Sequence, residues 1–218
     1  MKNLAAIIKF FALASILGFS PNHLYASDYE QIHKIQQAWG VANYQLQGDT
    51  QLKAFESLLT DIDSQLQASP NDAQLLTWRG ITKSSYAGVK GGLGALSLAK
   101  ASRKDLERAI EIDGKVLDGS AYTSLATLYA QVPGWPIGFG SNKKAKALFA
   151  EALKLNPNGI DSNYFFAQFM FDQGNYTTAD KHYRLAQQAA ARPDRPIADA
   201  GRQKEIRMAL IQVAEKLR

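Results

Sequence analysis

Three segments of this chain carry the same triplet of small, large and small residues at gaps of four and three. They are Ser102, Leu106, Ala109; Ala145, Phe149, Ala152; and Ala179, Tyr183, Ala186. On an α-helix that spacing stacks the three side chains on one face. The second and third triplets are offset by 34 residues at every position, the mark of a repeated supersecondary unit. Five residues after the last small residue stand Gly114 and Pro157 in the first two copies, both of them helix-ending types. From residue 27 onward the periodicity is helical, with no alternating runs bounded by turns, so an all-α fold is expected.

A second pattern precedes each triplet. It reads Tyr122, Leu125, Ala126, Tyr129 in one copy, Asn163, Phe166, Ala167, Met170 in the next, and Leu76, Arg79, Gly80, Lys83 in a more divergent one. The two half-patterns together resemble the tetratricopeptide repeat, over about residues 73–193. The clearest copy is 160–193, where Gly174-Asn175-Tyr176 supplies the turn between helices, and Leu155-Asn156-Pro157-Asn158 is typical of a boundary between repeats. The resemblance implies a right-handed α-solenoid of helix pairs. It also implies peptide binding along the inner surface of the first helices, here Gln74, Thr77, Ile81, Thr123, Thr127, Asp161, Tyr164, Gln168 and Phe171. That lining has no Lys/Arg ladder of the kind that captures chain-terminal carboxylates.

The copies differ in length between their two helices. Ala167 to Ala179 spans 12 residues, Ala126 to Ala145 spans 19 and Gly80 to Ser102 spans 22. Stacked repeats place equivalent loops on one edge, so the insertions around 88–94 and 133–140 are expected to be neighbours. The flanks extend the solenoid. Residues 28–68 read as a degenerate helix pair, and 197–217, with a stripe of Ile206, Leu210, Val213 and Leu217 on a charged helix, as a solvating cap. About nine helices result.

Residues 1–26 read as a secretory signal peptide. Lys2 and Lys9 precede the apolar run Phe10–Phe19, Ser20-Pro21-Asn22-His23 breaks the helix, and Ala26 supplies the small residue at the cleavage site. Ten apolar residues reach about 15 Å as a helix, half a bilayer core. Residues 27–218 then form a single exported, periplasmic domain. With no Cys in the chain it is not a bacterial lipoprotein, and disulfides, thiolate nucleophiles and Cys-ligated metals are excluded as well. Removing Lys2 and Lys9 leaves 23 basic against 20 acidic groups, scattered through the chain and no basis for nucleic-acid binding.

No catalytic, metal or cofactor site is expected. Outside the leader only His33 and His182 remain, too few for a metal cluster or a triad. The carboxylate pairs Asp61/Asp63 and Asp105/Glu107 read as surface charges, since i,i+2 spacing sends them to different faces. Gly88-Val89-Lys90-Gly91-Gly92-Leu93-Gly94 lacks the Gly-Lys-Ser/Thr ending and the preceding strand of a P-loop, and reads as a permissive turn.

Two features are candidates for binding. The loop Pro133–Gly140 carries Trp135 and Phe139, whose rings either tuck against the solenoid edge or form an aromatic recognition platform. Arg79 and Lys83 replace apolar residues in a packing pattern. Either the helix is rotated, with Leu75, Trp78 and Thr82 inward, or Arg79 faces a polar cavity and holds an anion. The chain also resembles small bacterial envelope proteins with a PGWP-type loop, implying a non-catalytic binding or scaffold protein with a protein or peptide partner. A weaker likeness to solenoid subunits of periplasmic solute transporters implies a small-molecule carrier instead. An enclosed cavity lined by Arg79, Trp78 and Trp135 would favour the carrier, and an open groove with exposed Trp135 the scaffold.

Overall fold

A computed structural model of the chain describes residues 21–218. Residues 1–20 of the expected leader lie outside those residues, while Pro21, Asn22 and His23, expected to break a helix, open the first one instead, since proline is tolerated in a first turn. Among the described residues there are nine helices and no strand: α1 (Pro21–Tyr44), α2 (Gly48–Ala68), α3 (Ala73–Lys90), α4 (Gly92–Asp113), α5 (Val116–Gln131), α6 (Asn142–Leu155), α7 (Ile160–Asp172), α8 (Tyr176–Gln187) and α9 (Pro196–Lys216). None of them is long and apolar enough to cross a membrane.

Local chemistry explains the boundaries. Asp72 caps α3 by accepting from the backbone N–H groups of Gln74 at 2.8 Å and Leu75 at 3.0 Å. Ser141 and Asn175 do the same for α6 and α8 through Lys144 N–H and Thr178 N–H. Gly174 ends α7 at φ 75°, a conformation that costs a glycine little. Before α7, buried Asn163 donates to the carbonyls of Pro157 and Gly159 at 2.8 and 2.9 Å. Its side-chain carbonyl meets His182 Nδ1 at 2.8 Å, which fastens the turn between repeats to α8.

All nine triplet positions are buried, the most exposed being Phe149 and Tyr183 at 1%. They sit where α4, α6 and α8 cross their preceding partners α3, α5 and α7. At the first crossing a Cβ on Gly80 would lie 2.6 Å from Leu106 Cγ, and Ser102 Oγ donates to the Gly80 carbonyl at 2.6 Å. Small residues are required there because the two backbones approach too closely for anything larger. Burying a ring such as that of Phe149 is worth about 1.5–3 kcal/mol, so the register rests on both the small and the large members of each triplet.

The two insertions differ in form. The first is absorbed into the helices: Gly88 lies within α3 and Gly94 within α4, leaving a tight turn at Gly91 and Gly92 with φ of 63° and 59°. Helices α3 and α4 run 18 and 22 residues, against 13 and 12 for α7 and α8. The second insertion is a true loop between α5 and α6. Its Phe139 ring packs edge-on to Tyr129 at 5.5 Å and under the Arg103 guanidinium at 4.5 Å. Arg103 lies 11 residues beyond Gly92, about 16 Å along α4, so the loop rests on the middle of that helix rather than on the glycine turn.

The odd-numbered helices form an inner layer and the even-numbered helices an outer one. α1 packs on α3, α3 on α5, α5 on α7, α7 on α9, and α9 returns to α1. The segment expected as a solvating cap therefore closes the solenoid. Gly40 of α1 faces Ala198 of α9, with a Cβ at position 40 lying 3.8 Å from that of Ala198. Tyr44 lies against Gly201, and its hydroxyl donates to Glu205 at 3.3 Å.

Candidate functional site

The inner layer borders two partly open cavities, of about 260 and 390 Å³. Trp78, Ser120, Thr123, Asp161 and Arg195 line both, so these five residues form a waist between them. The smaller cavity has an apolar floor of Trp39, Trp78, Ile81 and Phe165, with the hydroxyls of Ser84, Ser85, Ser124 and Thr127 around it. The larger is polar and opens among Gln36, Asn156, Asn158, Ser162 and Asp194.

The aromatic floor is held from α1 and α3. Trp39 and Trp78 meet edge-on at 6.0 Å, and Trp39 Nε1–H donates to Ser85 Oγ at 3.0 Å. Trp78 is buried, and its Nε1–H has no acceptor. A buried indole N–H without a partner is uncommon. The start of α5 is bent in the left-handed region at Leu117, Asp118 and Gly119, with φ of 52°, 53° and 73°. That bend turns Ser120 and Thr123 toward the waist, and Ser120 Oγ donates back to the Leu117 carbonyl at 2.6 Å.

Charge enters from the C-terminal end of the chain. Asp161 accepts from Arg202 Nε at 2.9 Å and from Arg192 Nη1 at 2.7 Å. Arg192 also pairs with Asp199, and Arg202 with Glu205, each at 2.5 Å. The Arg202 guanidinium lies over the Tyr164 and Phe165 rings at 4.3 and 4.4 Å. Burial works against ionisation of Asp161, but Arg202, Arg192 and Arg195 outweigh it and hold the carboxyl well below the usual range.

Arg195 stands apart from these pairs. Among the described residues no carboxylate lies within 4 Å of it, and its Nε is buried without an acceptor. Its guanidinium lies over the Trp78 ring at 5.3 Å. Burial, with Arg192 close by, pushes its pKa down. The waist thus presents one guanidinium with no carboxylate in direct contact; Asp161, Asp199 and Asp194 act on it from further away.

The residues expected from sequence are dispersed. Arg79 does not hold an anion for a ligand: its Nη2 and Nε pair with Asp105 at 2.6 and 2.9 Å, and its Nη1 with Asp63 at 2.9 Å. Lys83 joins them, donating to Asp105 Oδ2 at 2.7 Å. Asp105 is 5% exposed, which corrects its reading as a surface charge. The helix carrying Arg79 buries both candidate faces, Leu75, Trp78 and Thr82 as well as Leu76 and Gly80. Trp135 is 90% exposed and Ile137 68%, so the Trp135 ring is not tucked in, whereas Phe139 is. Tyr164 supports Arg202. Gln168 accepts from the Tyr183 hydroxyl and donates to Asp172, and Phe171 packs on Tyr176. None of these three lines the two cavities.

Of the groove residues expected from the repeat pattern, Ile81, Thr123, Thr127 and Asp161 do line cavity walls. Trp78 lines both cavities, as the carrier reading expected, whereas Trp39, Phe165, Arg195 and Arg202 were missed. Arg192, Arg195 and Arg202 supply inner-surface cations that the first helices lack, because they come from the final connection and α9. The signal available was three arginines within 11 residues around Pro193 and Pro196.

Two solved structures of MamA are similar to this chain. One is 17% identical with a TM-score of 0.44, covering 75% of this chain and 89% of that one. The other is 16% identical, also at 0.44, covering 86% and 92%. Similarity at this level identifies neither a family nor a function. No family model and no curated protein matches the chain.

Proposed function

We propose that this chain is a non-catalytic binding protein that takes a small organic ligand into the channel bordered by α1, α3, α5, α7 and α9. The observation that carries the reading is the return of α9 onto α1, which turns an inner groove into a walled site. Apolar floor, ring of hydroxyls and a few fixed charges are the composition of small-ligand pockets. Preformed helices spend little ordering entropy on capture. A cavity lined by Trp78 supports the carrier, while Arg79 and Trp135 are absent from its wall and the exposed Trp135 supports the scaffold instead.

The test is native mass spectrometry of the full chain purified from its own cells, beside a Thr123→Trp variant that fills the waist. A small molecule released from the wild type and missing from the variant supports the reading. Equal retention by both contradicts it.

A second reading keeps the scaffold role expected from the repeat pattern. Trp135 and Ile137 project from one loop, almost bare of protein contact, and would anchor a protein partner. A photo-crosslinker at position 135 should give a discrete intermolecular adduct that one at Lys204 does not. Export to the periplasm belongs to the same proposal. It rests on the leader-like residues 1–26, and N-terminal sequencing of the processed protein should begin at Ser27. Cleavage there trims only the first six residues of α1, ahead of its buried positions from Ile32.

A further inference from the structure

The waist of the channel holds two donors that the protein leaves without acceptors. Trp78 Nε1–H is sealed in a side chain 3% exposed. Arg195 has no carboxylate within 4 Å among the described residues, its Nε has no acceptor, and it lines the cavities on both sides. The neighbouring charges are matched. Arg192 and Arg202 pair with Asp161, Asp199 and Glu205, so Arg195 balances the cluster overall but is the one guanidinium of the three with no carboxylate in direct contact. A guanidinium without a direct acceptor keeps its fork of donors open to an anion.

We propose that the ligand is an organic monocarboxylate, its carboxylate paired with Arg195 at the waist and its apolar body lying on Trp39, Ile81 and Phe165 in the smaller cavity. The inference rests on the channel-binding reading above and adds the chemical class of the ligand. Guanidinium and carboxylate match as fork and acceptor pair, and the Trp78 ring, 5.3 Å below the Arg195 guanidinium, lines the same space and reports on that pair. A single negative charge fits better than two. Asp161 lines both cavities, and Asp118 and Asp194 line the larger one, so each further negative charge on the ligand adds repulsion. The apolar end is fixed by the aromatic floor, because the opposite cavity is lined mainly by polar and charged groups.

The test titrates the full chain with 4-phenylbutanoate and with its neutral counterpart 4-phenylbutanamide, following heat of binding and the three indole N–H resonances. Wild type is expected to bind the carboxylate at least tenfold more tightly than the amide and to shift the Trp78 indole signal while leaving that of Trp135 in place. Arg195→Gln should bring carboxylate affinity down to that of the amide with little change for the amide itself. Arg195→Lys, which keeps the charge but loses the fork, should retain part of the preference. Thermal unfolding of each variant separates lost binding from lost folding.

Equal affinity of wild type for the two probes, or a preference that survives in Arg195→Gln, overturns the carboxylate assignment and leaves channel binding standing. Failure of wild type to bind either probe overturns the assignment as well. A shift confined to Trp135 overturns the assignment and channel binding together.

Discussion

The ring of Tyr44 in α1 lies flat on the backbone of α9 at Gly201, closer than any side chain at position 201 would allow. These residues are 157 apart in the chain, and their contact joins the two ends of the solenoid. Gly201→Ala should push the ring away, break the Tyr44–Glu205 hydrogen bond and cost about 1–3 kcal/mol as an overpacking change. Tyr44→Phe, which keeps the ring and loses only the hydroxyl, should cost about 1 kcal/mol or less. Urea unfolding midpoints of the two variants separate packing from hydrogen bonding.

Asp105 is the acceptor for two cations, Arg79 and Lys83, at side-chain exposures of 22% and 17%. Replacing it by Asn leaves Lys83 without a counter-charge and Arg79 with Asp63 alone, at about 3 kcal/mol. Asp61→Asn, one turn away from the cluster on an exposed face, should stay within about 0.5 kcal/mol. Denaturant titration of both variants checks the contrast.

Ala152→Trp and Ala186→Trp test the repeat register directly. Both positions are fully buried at the crossings of the second and third helix pairs. Each substitution should destabilise by about 3 kcal/mol or more, since these closely spaced backbones cannot accept an indole. Wild-type melting of either variant would mean that the helices are paired through another face.

Asp161 sets an acid limit. Its folded carboxyl titrates below its unfolded value of about 4, so its contribution is fully present above that pH and is lost as pH falls through the folded value. Asp161→Asn should cost about 2–3 kcal/mol at pH 7, because Arg202 and Arg192 lose their shared acceptor. The gap between wild type and variant should hold constant from pH 7 to 5 and narrow below about 4. Unfolding curves across that range give the profile.

Trp135 supplies an optical check on the loop. With Trp39 and Trp78 at 7% and 3% exposure, it is the one indole open to solvent. Iodide should quench one component of wild-type emission, and Trp135→Phe should remove that component while leaving stability within about 0.5 kcal/mol. Changes at Gly91 or Gly92 should leave Trp135 emission alone, since its loop leans on Arg103.

The repeat register was legible because close helix crossings force small residues into a fixed period, and Ala145, Ala152, Ala179 and Ala186 write that period into the sequence. The fate of the insertions was less legible. Both add residues between paired helices, but Gly91-Gly92 allows the chain to turn within two residues, so the surrounding length goes into helix. Asp105 was misread because i,i+2 logic looks only along its own helix, and its partners lie on α3. The replacement of apolar residues by Arg79 and Lys83 was itself the clue that a buried acid stands opposite. The channel was hidden for a different reason: its closure depends on contacts between the chain's two ends. Arg195 sits between two prolines in what reads as a stop signal.

The central claim is that α1 and α9 pack together to wall the channel, and the absence of Cys from the chain makes a direct measurement possible. A Cβ at position 40 would lie 3.8 Å from that of Ala198, inside the range a disulfide spans. The double variant Gly40→Cys, Ala198→Cys should form an intramolecular disulfide under mild oxidation, read by intact mass and by faster migration on a non-reducing gel. Oxidation should then raise the unfolding free energy by about 4–5 kcal/mol, the loop-closure value for so long a loop. Free thiols that persist under oxidant, or disulfides only between molecules, would mean that the two end helices do not meet and that the channel is open.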